Sequence, residues 1–265
     1  MDLKPPVLVL RVTGTNRDHD AARACALAGG APEIVHVNAL AEDPGRLADY
    51  RMLVLPGGFS YGDDLGAGKV WALLLQTLLS ASLGDFVAAG RPIIGICNGF
   101  QALVKAGFLP GFGQAPRPGA APRQAATLTH NDSGHFECRW VELAPDPASP
   151  CVFTRGLSEP ITCPVAHGEG KLVASPAVLS EIEQGHLAPL RYAPTAGHPA
   201  GYPGNPNGSA RHIAALTNPA GTILGLMPHP EDHITPEQHP GYHRGARGGS
   251  GLALFERGVA YAAQL

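Results

Sequence analysis

Hydrophobic positions along the chain fall into short solid runs separated by glycine- and proline-rich breaks. "PVLVLRV" (residues 6–12) is apolar at nearly every position, the pattern of a strand covered on both faces. A polar loop, "TGTNRDHD", follows, and then a helix through "AARACALA" that stops at Gly29-Gly30. "EIVHVN", "RMLVLPGG" and "RPIIGI" predict three further strands, the middle one ending at Pro56 and the last at Cys97. Between these two, the loop "GGFSYGDDLGAGK" leads into one helix over 70–89. "NGFQALVKAG" predicts a helix directly after the fourth strand. Strands alternating with helices imply an α/β fold with a doubly wound, mainly parallel sheet.

Beyond residue 107 the texture changes. A stretch over 107–124 without periodicity reads as loop. Short β-like runs follow: "AATLTH", "HFECRWVEL", "CPVAHGEGKLVA", "IAALTN" and "TILGLM". A loop-rich insertion, "GHPAGYPGNPNGSA", interrupts them, and "LALFERGVAYAAQ" closes the chain as an amphipathic helix. No internal repeat is present, and we expect a single domain over 1–265 whose second half adds antiparallel strands to the sheet.

Composition narrows the functional classes. With 44% hydrophobic residues among 265, the chain can bury a sizeable core. Charged residues are 15% and the formal net charge is −3, with no Lys/Arg run, so no nucleic-acid footprint is expected. No apolar run approaches the roughly 18 residues that span a bilayer. The N-terminal run is too short for a signal peptide, so a cytoplasmic location and no membrane partner are expected. Five cysteines without CxxC spacing argue against a disulfide framework or a thiolate zinc site.

One of the five stands apart. Gly95-Ile96-Cys97-Asn98-Gly99 has the spacing of a nucleophile elbow with Cys in place of Ser. A strand that turns abruptly into a helix leaves its corner residue in a strained backbone, and glycine two positions to either side relieves the crowding. The corner projects its sulfur from the carboxyl edge of the sheet, at a helix N-terminus that favours thiolate. The Asn98 N–H can point at an oxyanion beside it. The plainer reading is a buried cysteine at an ordinary strand–helix turn.

A thiolate nucleophile needs a base, and the base an orienter. "LMPHPED" supplies His229 and Glu231 two residues apart on an extended, proline-stiffened segment, so both side chains start on one side. Glu231 could then accept the far imidazole N–H and fix the tautomer. Asp232 starts on the opposite face. Gly57-Gly58, straight after a strand, allows close backbone approach to a ligand, so a second oxyanion donor could come from this strand end; the plainer reading is a Gly-rich turn. Competing readings are a metal site from His229, His233, His239 and His243 with Glu231 and Glu237, which lacks HExxH, another enzyme such as a cysteine hydrolase on the same elbow, and a non-catalytic scaffold subunit. His167 and Glu169 could form a second acid–base pair but are better read as a loop at the mouth of the site.

Together these pieces resemble the class I, triad-type glutamine amidotransferases, whose doubly wound sheet is flavodoxin-like. Within them the chain is similar to the glutaminase-subunit family of phosphoribosylformylglycinamidine synthase. The likeness is carried by "GTNRDHD", "LPGGFSYGDDLGAGK", "GICNGFQALVKAGFLPG", "HNDSGHFECR", "VAHGEGKL", "NPNGS" and "GLMPHPE", over nearly the whole chain. The resemblance implies that Cys97 attacks the side-chain amide of L-glutamine, that His229 moves the proton and Glu231 orients it, and that the Gly58 and Asn98 N–H groups form the oxyanion hole. It implies Gln101 as a substrate-binding residue, with Asn131 and Ser133 as further candidates lining the glutamine pocket. It also implies a large synthetase subunit that uses ATP and Mg²⁺ and receives the ammonia, plus a small accessory subunit, with no cofactor or metal in this chain. Two positions depart from the family pattern: Arg17, where Cys or a small residue is expected, and Asp232, where many members carry Arg.

Overall fold

The computed structural model describes residues 4–112, 124–194 and 201–265. The expected loop at 107–124 and the insertion at 197–210 therefore lie partly outside the described residues. Among the described residues, eleven strands and seven α-helices are joined by short 3₁₀ turns. The central sheet holds β1 (Pro6–Arg11), β2 (Ala31–His36), β3 (Met52–Leu55), β4 (Ile93–Ile96), β10 (Ala215–Thr217) and β11 (Ile223–Leu226), in the order β10-β11-β4-β3-β1-β2. All neighbours pair parallel except β10 with β11. Every residue of β3, β4 and β11 is buried, which explains why these strands read as unbroken apolar runs.

Helices cover both faces. A Cβ on Gly99 would touch Leu55, so α5 (Asn98–Lys105) lies on the Leu55 side. A Cβ on Gly258 would lie near Met52, so α7 (Leu252–Ala262) lies on the other, because residues an odd number apart on a strand face opposite ways. α1 starts at Asp18 and runs to Leu27, three residues earlier than the apolar pattern predicts, with Asp18 and Asp20 in its first turn where carboxylates favour the helix dipole.

The helix expected over 70–89 is two helices, α3 (Lys69–Thr77) and α4 (Ser80–Ala88), bent by 82°. The run is apolar on most sides, and the bend lets Trp71 and Leu75 on α3, Leu79 at the corner, and Leu83 and Phe86 on α4 all reach the core. No single helix among the described residues is long and apolar enough to cross a membrane.

The antiparallel strands of the second half add β10 to the central sheet, while the rest form two sheets of their own. β6 (Glu137–Pro145) pairs with β7 (Ile161–His167) and β9 (Leu190–Tyr192), and β5 (Ala126–Thr129) pairs with β8 (Lys171–Ala174). "CPVAHGEGKLVA" is therefore two strands, in different sheets, broken at Gly168–Gly170. α2 (Val37–Glu42) and α6 (Pro176–Gln184) complete the helices.

Candidate active site

Cys97 sits where β4 turns into α5, with φ 49° and ψ −103°, outside the comfortable regions for a side-chain-bearing residue. The glycines on either side explain how the corner closes. A Cβ on Gly99 would lie 2.0 Å from the Leu55 carbonyl oxygen, and one on Gly95 would lie 2.5 Å from Leu103 Cδ1 and 2.9 Å from the Gly99 backbone. Only bare backbone lets the first turn of α5 press so closely onto β3 and β4. The Cys97 N–H donates to the Leu226 carbonyl at 2.8 Å, tying the corner to the end of β11.

Three residues past that strand end comes His229, its N–H bound to the Pro164 carbonyl at 2.8 Å. β7 thus lies across the carboxyl ends of β4 and β11, and it also supplies the Ala166 carbonyl that the Cys97 thiol faces at 3.8 Å. His229 Nδ1 and Glu231 Oε1 are 2.7 Å apart, and both residues are almost wholly buried. His229 Nε2 has no hydrogen-bond partner among the described residues. Burial disfavours a charged imidazole, yet the negative charge of Glu231, aided by Cys97, holds the His229 pKa well above its usual value. Gly57 makes room for the ring: a Cβ there would meet His229 Cε1 at 2.7 Å.

The candidate oxyanion donors lie on two strand ends. Gly58 is held against the Gly14–Asn16 loop, where a Cβ would fall 2.7 Å from the Gly14 oxygen. The Gly58 and Asn98 N–H groups have no acceptor among the described residues. The Asn98 side chain fastens the loop beyond Gly58, accepting from the Ser60 N–H at 3.0 Å and donating to Asp63 at 3.1 Å and to Gln101 Oε1 at 2.9 Å.

Gln101 donates in turn to the Glu169 carbonyl at 2.6 Å, so its amide ties α5 to the turn between β7 and β8. Asn131 is buried and its side chain makes four bonds: its NH₂ donates to the His135 and His167 carbonyls, and its oxygen accepts from the Gly170 N–H at 3.0 Å and faces His167 Nδ1 at 3.2 Å. A direct bond from Asn131 to a ligand would have to replace one of these. Ser133 accepts from the His135 N–H within its own exposed turn. It lines a cavity of about 500 Å³ with Asp132, Tyr202 and Asn205, away from Cys97, His229 and Glu231.

His167 is the residue whose place the sequence hides. It is buried beside the site between Asn131 and Asn207, and Asn207 also donates to the Tyr192 hydroxyl at 3.0 Å. A Cβ on Gly170 would fall 2.3 Å from the His167 ring, which accounts for the second glycine of "HGEGK". Burial, reinforced by His229, lowers its pKa to about 3, so His167 stays neutral in the fold. The unfolded chain takes up a proton near pH 6.5 and the folded one does not, so acid destabilises the fold from that pH down to about 3. Denaturant unfolding of His167→Gln between pH 7 and 5 is expected to show an acid-side slope shallower than wild type by up to about 1.4 kcal/mol per pH unit. Equal slopes would mean that the buried imidazole is protonated in the fold.

Among the described residues no three His, Cys, Asp or Glu side chains are grouped as metal ligands. His233 and His239 instead pack their rings on Trp140, with centroids 5.3 Å apart in each pair.

Residues 4–262 match the CobB/CobQ-like glutamine amidotransferase domain. The chain belongs to that family. Within this amidotransferase family it is 46% identical to phosphoribosylformylglycinamidine synthase subunit PurQ of Treponema denticola, over 98% of this chain and 99% of that one. It is 44% identical to the subunit of the same name from Dehalococcoides mccartyi, over 99% of both chains. A chain in the solved PurLQS structure from Thermotoga maritima superposes with a TM-score of 0.73 at 30% identity, covering 98% of this amidotransferase and 99% of that chain.

Proposed function

We propose that this chain hydrolyses L-glutamine through a Cys97–His229–Glu231 triad and passes the ammonia to a synthetase subunit. It is the glutamine amidotransferase component of phosphoribosylformylglycinamidine synthase, as its full-length likeness to PurQ subunits indicates. The observation that supports the triad best is the buried His229–Glu231 pair at 2.7 Å, with Nε2 left free beside a cysteine on a strained strand–helix corner.

The chemistry follows from this arrangement. Glu231 holds the proton on Nδ1, so Nε2 is the basic nitrogen that takes the thiol proton. Sγ adds to the glutamine amide carbon, and the Gly58 and Asn98 N–H groups receive the developing oxyanion. His229 returns the proton to the departing nitrogen, ammonia leaves, and water then releases glutamate from the thioester. Gln101 holds the wall that faces the amino-acid end of the substrate. Glutamine, the large synthetase and a small accessory subunit are the partners in this reading. ATP and Mg²⁺ are used on the synthetase, where formylglycinamide ribonucleotide becomes the amidine, and the location is cytoplasmic.

Labelling with 6-diazo-5-oxo-norleucine, a glutamine-like electrophile, tests nucleophile and substrate together. In the assembled complex, peptide mapping is expected to find one adduct, at Cys97, that excess glutamine prevents. An adduct elsewhere, or none, would reject the elbow as a glutamine site.

A further inference from the structure

Arg17 and Asp232 meet in space although 215 residues separate them. Arg17 Nη1 donates to Asp232 Oδ1 at 3.2 Å and to Asp20 Oδ2 at 3.2 Å. The Arg17 backbone N–H donates to the Gly57 carbonyl at 3.3 Å. Its stem and the His229 ring flank the same missing Cβ, with Arg17 Cγ 3.4 Å and His229 Cε1 2.7 Å from the point where a Gly57 side chain would begin. One residue therefore links the strand end that carries Gly58 to the turn Pro230–Asp232 that carries Glu231.

Charge gives this link a second consequence. Glu231 is buried with Oε2 unpartnered among the described residues, and Asp232 follows it with a side chain only 21% exposed. Among the described residues, the groups facing His229 and this turn are Cys97 from the β4–α5 corner, His167 and Cys163 from β7, Asp20 and Arg17 from the start of α1, and Glu231 and Asp232 themselves. Arg17 is the one permanent cation among them. Burial and Glu231 raise the pKa of Asp232, against the pull of Arg17. With Arg17 gone, a second carboxylate would act on the imidazole unopposed and favour its protonated form, which cannot take a proton from the thiol.

We propose that Arg17 and Asp232 are a positioning pair that clamps the Gly57–Gly58 strand end to the Glu231 turn and sets the charge felt by His229. The inference rests on the glutaminase reading above. Its test is the pH profile of glutamine-dependent kcat/KM in the complex assembled with the synthetase, for wild type, Arg17→Met, Asp232→Asn, the double variant and Arg17→Lys. Arg17→Met is expected to move the acid limb up, and Asp232→Asn to move it down, each on the order of half a pH unit for partly exposed charges. The double variant returns the limb to wild type. Arg17→Lys keeps the cation and leaves the limb in place. Limbs that move the same way, or not at all, while wild type turns over glutamine would overturn the pair alone. A wild-type complex that makes product from ammonia but not from glutamine would remove the glutaminase reading and the pair with it.

Discussion

Cys97→Ala is expected to lower glutamine-dependent synthesis by at least about 10³-fold, as loss of a triad nucleophile does, while ammonia-dependent synthesis by the assembled complex stays near wild type. The two halves of the result have separate physical grounds. Alanine keeps the Cys97 N–H bond to Leu226, and the strain of φ 49° is borne by either residue. The lost sulfur gives up a long contact to the Ala166 carbonyl, so the corner between β4 and α5 keeps its backbone bonds. Neither Cys25 nor Cys163 can take over. Cys25 is buried with its pKa raised to about 12, and Cys163, though near the turn, is raised well above the usual thiol value by burial and then by Glu231 and Asp232. Steady-state assays with glutamine and with ammonium salts, run on the same preparation, read both halves. Wild-type glutamine turnover in the Cys97→Ala complex would take the thiol out of the chemistry.

Cys97, His229 and Glu231 were legible in the sequence because each is announced by local chemistry. Glycines flank the thiol within two positions, and prolines alternate with the His and Glu, so spacing alone predicts a corner and a shared face. The parallel core was legible for a similar reason, since strands covered on both faces leave unbroken apolar runs. What stayed hidden depends on contacts between distant segments. Arg17 and Asp232 look like two unrelated oddities until the fold sets them 3.2 Å apart. "HND", "AHGEGK" and "NPNGS" read as separate polar loops, yet Asn131, His167, Gly170 and Asn207 bond to one another beneath the site. The bend between α3 and α4 was also hidden. An apolar run carries no mark at the point where tertiary packing breaks it, and neither Gly nor Pro stands there.

His229→Ala is expected to match Cys97→Ala in its loss of glutamine turnover, and combining the two should cost little more, because nucleophile and base act as one unit. Glu231→Gln separates orientation from charge. The carboxylate does both: at 2.7 Å it fixes the proton on Nδ1, and its charge is the main force raising the His229 pKa against burial. Glutamine presenting its oxygen to Nδ1 keeps the tautomer but not the charge. Glutamine presenting its NH₂ reverses the tautomer and turns Nε2–H toward the sulfur, which removes the base. A population divided between these two orientations retains part of the activity, a loss on the order of 10–100-fold. The sign of the pH effect is fixed by the same charge. An anion that raises the His229 pKa is gone, so the imidazole deprotonates at lower pH and the acid limb of kcat/KM shifts down. A kcat/KM profile that kept its wild-type acid limb in Glu231→Gln, or an activity equal to wild type, would show that Glu231 neither charges nor orients the imidazole.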